Sequence, residues 1–458
     1  MTYASWYARQ CIKYGLSLIP ASLRIPRGLR NRITFLEHSQ LWSRDRIAAY
    51  QLEQLNRILR WAEQHIPYYR NRSPGNLPLR DFADLSAWPL TDRRIVNQDP
   101  GSFQFGNLPP WRLRHGTTSG RTGTPLRIPW EWPSSTWWEE AHVRRAMTWA
   151  GIGPDIPVAI LRGNKVHGPR GPETRSVQFV PHRNRLVLSL FQLNEETVIR
   201  YVDQMNAHGV RALQAYPSAV IRFVRLLEER GCAPPELKAV CTSSEQLESS
   251  ERISIEQFFG VRVFDLYGHA ERAVAAAQCE EDKEYHVFDE YGFLELVDTN
   301  GSPCTPGKVG EIVATGFLNR AMPFIRYRTG DFAEFSRNKC PCGRNLTVLS
   351  SLYGRPPEYL LDPQGNPISI RMGLGHEALK GIIALRFYQS RPGHAVLHVV
   401  PGKNEHNDYI RGRLLKEFDQ RFGNRMEFDF KFVDFLEPGP DGRQNLVHRS
   451  DEMHGECV

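Results

Sequence analysis

Short apolar segments alternate with longer amphipathic segments between residues 157 and 266, and this alternation restricts the chain to few folds. Segments of helical period lie at about 195–208, 218–230 and 247–259. The apolar runs between and around them have the length of β-strands and occupy residues 157–161, 186–190, 211–215, 237–241 and 261–266. Strands that alternate with helices of this length indicate a mostly parallel sheet covered on both faces. The predicted fold class is therefore α/β.

The segments that flank this region have other patterns. Before it, the apolar spacing from Leu52 to Ile66 is helical and stops at Pro67, so we expect helices in residues 1–72. After residue 285 the predicted strands lie closer together, at 292–297 and 310–315, and indicate an antiparallel, barrel-like subdomain.

The C-terminal part of the chain predicts a small α+β domain. Its strand-like segments at 382–388, 395–400 and 427–433 surround a helix at 407–421. We place the linker at Gly354–Pro357. The chain then divides into a large N-terminal domain of residues 1–353, with a basic helical arm at 1–72, and a small mobile C-terminal domain of residues 354–458.

The composition excludes several other classes of protein. Hydrophobic residues make up 41% and charged residues 24% of the 458 residues, as in soluble globular proteins. No apolar run reaches 18 residues, which argues against a transmembrane helix. Arg9 and Lys13 interrupt the apolar N-terminus, which argues against a signal peptide, so a cytoplasmic location is expected. Eight cysteines in so long a chain do not form a disulfide scaffold.

Positive charge is concentrated in the N-terminal arm. Residues 1–72 contain 12 Lys and Arg against 4 Asp and Glu, whereas the whole chain has a net charge of +7. Such an arm either contacts an anionic membrane surface or nucleic acid, or is a solvated basic face of ordinary helices. No nucleic-acid-binding motif accompanies it, so we do not expect a nucleic-acid partner, and peripheral membrane contact through the arm stays open.

A loop at residues 114–125 has the composition of a phosphate-binding site. Its sequence R-H-G-T-T-S-G-R-T-G-T-P combines glycines, which allow close approach of backbone N–H groups, with hydroxyl donors. Arg114 and Arg121 could neutralise phosphate charge. The alternative is a flexible Ser/Gly loop. The order of residues does not match the Walker A sequence.

Four short motifs follow one another in an order that carries more information than each alone. They are T-S-G-R-T-G-T-P (118–125), Y-G-H-A-E (267–271), Y-R-T-G-D (327–331) and G-R (354–355). This series resembles the signature of the adenylate-forming enzymes, although Arg121 and Ala270 replace hydroxyl residues. The resemblance implies that ATP and a carboxylic acid are joined as an acyl-AMP with release of pyrophosphate.

Five further segments resemble the phenylacetate–CoA ligase family, and within it the branch associated with capsular polysaccharide biosynthesis. They are I-P-Y-Y-R (66–70), A-Y-P-S-A (215–219), T-S-S-E-Q-L (242–247), Y-H-V-F-D-E-Y-G (285–292) and C-P-C-G-R (340–344). The resemblance covers about residues 45–445. It implies that the acyl group passes to CoA, or to an amine or hydroxyl of a sugar or amino acid.

The resemblance and the chemistry of ATP together suggest roles for single residues. Glu271 is the expected Mg²⁺ ligand, with a surface glutamate at a helix N-terminus as the alternative. Asp331 is expected to accept the two ribose hydroxyls, and Arg355 to lie beside the ribose or the α-phosphate. The residues expected to hold the β- and γ-phosphates are Thr118, Ser119, Gly120, Thr122 and Gly123. Those expected around the adenine are Ser244, Glu245, Asp265, Tyr267 and Gly268, with Tyr267 stacking on the base.

The acyl substrate is expected near Trp137–His142 and Tyr216–Pro217. The indoles of this region, Trp137 and Trp138, together with Trp149, could line an aromatic pocket. The alternative is that they are core or domain-interface aromatics.

The C-terminal part departs from the family pattern. The family carries a lysine in a G-K context near its end, where this chain has Gly442–Arg443, and arginine does not replace the compact ammonium equivalently. Lys431 is another candidate. The linker contains Pro356 and Pro357, which would stiffen a hinge. A degenerate nucleotide-binding protein that acts as a non-catalytic assembly partner is therefore the alternative function.

Four residues form a complete ligand set for structural zinc. Cys279, His286, Cys340 and Cys342 supply three thiols and one imidazole, and some relatives carry a comparable set. Cys304 is a substitute ligand. The alternative is a loop with four reduced residues and no metal.

Overall fold

The computed structural model describes residues 19, 21–117, 126–162, 167–168, 171–172, 176–298, 300–353, 359–363, 367–369, 381–402, 405–423, 426–437 and 447–449. The chain separates into two compact units that are not continuous in sequence. Unit A comprises residues 19–155 and 264–355, and the described residues of unit B belong to 156–263 and 356–458. The domain boundary at 353–354 expected from the sequence stays a prediction.

The helices and strands are numbered in chain order. The helices are α1 (Arg27–Ser39), α2 (Arg44–His65), α3 (Pro67–Arg70), α4 (Arg93–Gln98), α5 (Ser134–Trp149), α6 (Glu195–Ala207), α7 (Pro217–Glu229), α8 (Ser249–Phe259) and α9 (Asn407–Phe422). The strands are β1 (Leu113–Thr117), β2 (Arg127–Glu131), β3 (Val158–Arg162), β4 (His167–Gly168), β5 (Gly171–Pro172), β6 (Val177–Val180), β7 (Arg185–Ser189), β8 (Ala212–Ala215), β9 (Ala239–Ser243), β10 (Val263–Gly268), β11 (Ala275–Gln278), β12 (Tyr285–Val287), β13 (Gly292–Val297), β14 (Val309–Gly316), β15 (Tyr327–Phe335), β16 (Val348–Tyr353), β17 (Tyr359–Leu361), β18 (Pro367–Ser369), β19 (Ile382–Arg391), β20 (His394–Pro401), β21 (Glu427–Phe432) and β22 (Val447–Arg449).

The parallel sheet expected from the sequence is present in unit B. Its strands follow the order β9–β8–β3–β7–β6, in which β9, β8, β3 and β7 are parallel and β6 is an antiparallel edge. Helices α6, α7 and α8 contribute Tyr201, Phe223 and Ile255 to the same buried cluster as the strand residues Leu161 and Leu188. The α/β class is confirmed, and each of these helices begins and ends within two residues of the prediction.

A second sheet in unit B confirms the predicted α+β arrangement of the C-terminal strands. Its order is β21–β20–β19–β22, and β19 and β20 are antiparallel. Helix α9 buries Phe418 and Phe422 against this sheet, where they meet Phe387 of β19. Phe418 and Phe422 lie one helical turn apart and therefore pack on the same side of α9, in a small hydrophobic core separate from the cluster of the parallel sheet.

Unit A contains the antiparallel strands expected after residue 285. They follow the order β13–β14–β15–β16–β12–β11–β10, and every neighbouring pair is antiparallel. The pairing of β14 with β15 contains a β-bulge. Glu311 pairs with Phe332, but Val313, two residues further along β14, pairs with Arg328, which is four residues away on β15. Gly330 lies in this bulge with a φ of +74°.

The N-terminal helices pack on unit A rather than standing apart from it. Ser43 caps α2 by accepting a hydrogen bond from the backbone N–H of Arg46. One face of α2 buries Leu55, Leu59 and Ala62 completely. After Pro67 the hydroxyl of Tyr69 donates to the carbonyl of Pro323 at 3.3 Å. Within residues 21–72 the helical prediction is therefore confirmed.

A buried ion pair joins α1 and α5 to the residues before β13. Arg145 donates to both carboxylate oxygens of Glu290, at 2.9 and 3.1 Å. Ser39 of α1 donates to the same carboxylate. Burial would raise the pKa of Glu290, but the charge of Arg145 and these hydrogen bonds lower it, so the carboxylate stays ionised.

None of the helices in the described part of the chain combines the length and the hydropathy needed to cross a membrane.

The backbone of Ala273 packs directly on two glycines, Gly292 at the start of β13 and Gly316 at the end of β14. Gly292 is the register partner of Gly316, and the backbone of Ala273 lies against both. A Cβ on Gly292 would lie 1.9 Å from the Ala273 carbonyl oxygen. The turn that contains Ala273 can therefore reach its position only over glycine.

We predict that Gly292→Ala lowers the free energy of unfolding by about 1–3 kcal/mol, because the backbone of residue 273 must move. The measurement is the urea-induced unfolding midpoint. Gly153→Ala is the matched control, since a Cβ there meets no atom within 4 Å. Equal midpoints for the two variants would contradict the close approach.

Candidate active site

A short turn after β10 positions the glutamate of the Y-G-H-A-E motif. Strand β10 reverses into β11, with Gly268 opposite Ala275. The turn closes by a 3.1 Å hydrogen bond from the backbone N–H of Arg272 to the carbonyl of His269. Arg272 has a φ of 54°, in the left-handed region that residues with a side chain rarely adopt. This conformation turns the chain directly after Glu271.

Glu271 is a buried carboxylate with two side-chain partners. It is 2% exposed. Its Oε1 accepts from the hydroxyl of Tyr327 at 3.0 Å, and Oε2 lies 3.2 Å from Nδ1 of His269. Burial alone would raise the pKa of Glu271, but His269, a backbone N–H and Tyr327 outweigh it and lower the pKa to about 2. The site therefore holds a fixed negative charge at neutral pH.

Asp331 lies on β15 just after the bulge at Gly330. Its Oδ2 accepts from the hydroxyl of Tyr267 at 2.8 Å, and its backbone N–H donates to Thr329 Oγ1 at 3.1 Å. Burial and the nearby Asp331 carboxylate raise the pKa of Tyr267 well above its ordinary value, so this phenol remains a donor. Tyrosines from two motifs thus orient two carboxylates.

Asp265 is held inside unit A by β12. The hydroxyl of Tyr285 donates to its Oδ2 at 2.7 Å, and its backbone N–H donates to Gln278 at 3.0 Å. The side chain is buried. These contacts fix the strand end that leads to Tyr267 and Gly268.

In unit B the predicted adenine-site residues follow the carboxyl end of β9. Ser244 has a φ of 72°, which bends the chain away from the strand. Oε2 of Glu245 accepts from the backbone N–H of Ser218 at 3.1 Å, in the first turn of α7. Arg162, at the end of the parallel strand β3, donates to the hydroxyl of Ser243. Polar groups therefore gather at the strand ends where α/β sheets bind ligands.

Several predicted residues lie outside the described residues. They are Thr118, Ser119, Gly120, Thr122, Gly123, Arg355 and Arg443, together with the linker prolines Pro356 and Pro357. Lys431 is described and is exposed on β21.

The tryptophans expected near the acyl substrate take part in helix packing. Trp137 fills the space over Gly28 of α1, where a Cβ would lie 2.3 Å from its ring. Trp138 packs edge-on against Phe35, and Trp149 against Phe288. Another face of α5 meets the turn after Glu271, because Arg272 donates to Ser135 at 3.2 Å.

The predicted zinc ligands lie together in unit A. The ligand atoms of Cys279, His286, Cys340 and Cys342 are all within 4.8 Å of one another. The Sγ atoms of Cys279 and Cys340 are 3.5 Å apart, and Cys342 Sγ lies 3.5 Å from His286 Nε2. Burial and the charge of Arg344 lower the pKa of His286 to about 4, which leaves its imidazole neutral and able to bind a metal. Cys304 is not part of this cluster.

The sequence did not reveal the partners that hold the carboxylates. Tyr327 and His269 contact Glu271, and Tyr285 contacts Asp265. All three belong to motifs that the sequence shows, so motif membership is the available signal. Their roles depend on contacts across strands, which spacing along the chain does not show.

Comparison with known proteins agrees with this geometry. No protein-family model matches the chain. The phenylacetate-coenzyme A ligase of Thermus thermophilus is 25% identical over 336 residues, which cover 69% of this chain and 72% of that protein. Protein CapK of Staphylococcus aureus is 24% identical over 272 residues, 58% of each chain. The crystal structure of 2-hydroxyisobutyryl-CoA ligase in the postadenylation state with R3-HIB-AMP has a TM-score of 0.69 and 18% identity, covering 90% of this chain and 91% of that one.

The fold, the ordered motifs and these likenesses define an AMP-forming ligase of the adenylate-forming class. Within that class the sequence is similar to the phenylacetate–CoA ligases, as the motifs indicate. Both expectations from the sequence are thereby confirmed.

We predict that Glu271 stays ionised from pH 9 down to pH 4. Its folded pKa lies below the unfolded value, so its contribution to stability is complete above the unfolded pKa and is lost as the pH falls toward about 2. The measurement is a ¹³C NMR titration of labelled glutamate, with the resonance assigned by its absence in Glu271→Gln. A midpoint between pH 4 and 6 would contradict the arrangement.

Proposed function

We propose that this protein uses ATP to convert a carboxylic acid into an acyl-AMP, releases pyrophosphate, and then transfers the acyl group to an acceptor. The observation that carries the proposal is the placement of two motif carboxylates, Glu271 and Asp331, in one unit, each oriented by a tyrosine hydroxyl. One carboxylate suits a metal–phosphate contact and the other a ribose diol, which are the two polar parts of a nucleotide.

In this reaction a carboxylate oxygen of the substrate attacks the α-phosphorus, and the bond to the pyrophosphate oxygen breaks. Bound Mg²⁺ would neutralise the phosphate charge that develops. Glu271 fits an Mg²⁺ ligand because it is ionised, and because His269 and Tyr327 fix it in place before any metal arrives. Asp331, already held by Tyr267, would receive the ribose hydroxyls without reorientation.

Other residues complete the proposal from the sequence. Thr118, Ser119, Gly120, Thr122 and Gly123 would bind the phosphates, and Ser244, Glu245 and Asp265 would border the adenine. Arg355 and Arg443 would supply positive charge near the ribose and the α-phosphate. The neutralising role that the family gives to a lysine would thus pass to Arg443.

We further propose CoA as an acyl acceptor, with an amine or hydroxyl of a sugar or amino acid as the alternative. A protein of similar fold, 2-hydroxyisobutyryl-CoA ligase, has been solved in complex with 2-HIB-AMP and CoA. A role in surface polysaccharide synthesis, in a cytoplasmic setting, is part of the same proposal and is based on the sequence segments that resemble the capsular polysaccharide branch.

The first test is ATP–pyrophosphate exchange with pooled aryl, fatty, hydroxy and amino acids. We expect exchange that depends on one acid and falls about 100-fold in Asp331→Ala, because ribose binding loses its charged acceptor. Glu334→Ala removes a carboxylate from the same strand, β15, and should leave exchange unchanged. ATP binding without exchange for every acid would instead favour the degenerate, non-catalytic alternative.

We also propose that Cys279, His286, Cys340 and Cys342 bind one structural Zn²⁺. In a tetrahedral site with Zn–S of about 2.3 Å, sulfur atoms lie roughly 3.7 Å apart, close to the 3.5 Å between Cys279 and Cys340. Cys279, His286 and Cys340 are buried, and with four protein ligands no position remains for a reacting water. The metal would join the β11–β12 region to the loop before β16.

Metal analysis of the purified protein tests this second proposal. We expect about one zinc per chain, its loss in Cys340→Ser, and a lower unfolding temperature for that variant and for chelator-treated wild type. Cys304→Ser is the matched control, since Cys304 lies outside the cluster, and it should keep both zinc and stability. Metal-free wild type prepared with zinc in the medium would overturn the proposal.

A further inference from the structure

A cavity in unit A is separate from every residue assigned above to nucleotide or zinc. It has a volume of about 510 Å³ and lies between helices α1, α2 and α5 and the residues after β14. A volume of this size is typical of sites for small organic molecules. Neither Glu271, Asp331 nor the cysteine cluster lines it.

The walls of this cavity carry more positive than negative charge. Arg32, Arg57 and Arg320 line it, and Glu131 is the acidic residue among the lining residues. That carboxylate is already engaged, because its Oε1 accepts from Arg112 at 2.7 Å. Among the described residues Arg57 forms no ion pair within 4 Å, and neither does Arg320. One carboxylate therefore faces three guanidinium groups, and the lining keeps an excess of positive charge.

Two of the three guanidinium groups, those of Arg32 and Arg320, lie against aromatic rings. Arg32 lies 5.1 Å from the ring centre of Trp138, and Arg320 lies 5.2 Å from that of Trp61. Nη1 of Arg32 donates to the carbonyl of Gly28 at 2.7 Å, and its Nη2 donates to the hydroxyl of Ser134 at 3.4 Å. Cations held in this way lose little conformational freedom when they bind an anion.

The remaining walls are aromatic and amide groups. Phe35 packs against Trp138 with ring centres 5.6 Å apart and against Tyr50 at 5.7 Å. Asn31 and Gln54 add neutral hydrogen-bonding groups at the lining. A ligand that fits these walls combines a charged end with a flat or apolar part.

We propose that this cavity binds a small organic phosphate, with the phosphate between Arg57 and Arg320 and the organic part against Phe35 and Trp138. A dianion balances two of the three guanidinium charges, and a guanidinium binds phosphate through two parallel hydrogen bonds. The ligand also removes the repulsion between neighbouring cations. Consistent with that repulsion, burial and the charge of Arg57 lower the pKa of Arg320.

Isothermal titration calorimetry with phenyl phosphate tests the proposal. We expect binding to the wild type, weakened about tenfold by Arg57→Gln and again by Arg320→Gln, since each removes a charged hydrogen-bond donor. Arg57 is exposed and has no ion pair among the described residues, so its replacement leaves the fold intact. Arg60→Gln, an exposed arginine of α2 outside the cavity, is the matched control and should bind like wild type.

Three further titrations decide between sites and between ligand classes. Phenyl phosphate should bind Asp331→Ala as tightly as wild type, because the nucleotide site is not involved. Benzenesulfonate and benzyl alcohol should bind at least tenfold more weakly, because they offer one charge or none. Absence of phenyl phosphate binding, equal binding by the Arg57→Gln/Arg320→Gln double variant, or loss only in Asp331→Ala would overturn the proposal.

Discussion

Two adjacent buried acids, Asp289 and Glu290, hold unit A together. Glu290 faces Arg145 of α5 and Ser39 of α1, while Asp289 faces Arg44 of α2 at 3.0 Å. Both carboxylates are almost fully buried, and removal of a partner from a buried charge costs several kcal/mol. Three helices that lie far from Asp289 and Glu290 in sequence are thus bound to this one dipeptide. Strand β13, which begins directly after it, belongs to the same antiparallel sheet as β10 and β15, the strands that carry Tyr267 and Asp331.

The observed fold shows which structural features can be predicted from the sequence. Helix and strand positions follow from local periodicity, and the predicted strand 292–297 coincides with the observed strand Gly292–Val297. Contacts between residues that are distant in sequence, however, cannot be predicted from local periodicity. The segment at 285–292 was recognised as a family motif, but spacing along the chain could not show that Asp289 and Glu290 are structural. The same limit hid the division into units that interleave along the chain.

The candidate sites also differ in how far the sequence predicts them. A set of three thiols and an imidazole suggests zinc wherever the residues lie, so Cys279 and Cys340 could be paired from chemistry alone. Arginines carry no such signal. Arg32 and Arg57 were indistinguishable from a solvated basic face, and only the fold brings Arg320 beside them at one cavity. Tyr267 and Tyr327 were likewise visible as motif letters, but their hydrogen bonds to carboxylates required the sheet register.

Gly330, the left-handed residue in the bulge of β15, changes how variants of the Y-R-T-G-D motif should be interpreted. Any side chain at this position strains the backbone that presents Asp331, even though glycine itself offers no group for chemistry. An inactive variant at Gly330 would therefore report a misdirected strand, not a lost catalytic group. Saturation mutagenesis would score Gly330 and Asp331 as equally essential. Asp331, however, supplies a functional group, whereas Gly330 only allows the backbone conformation that positions it.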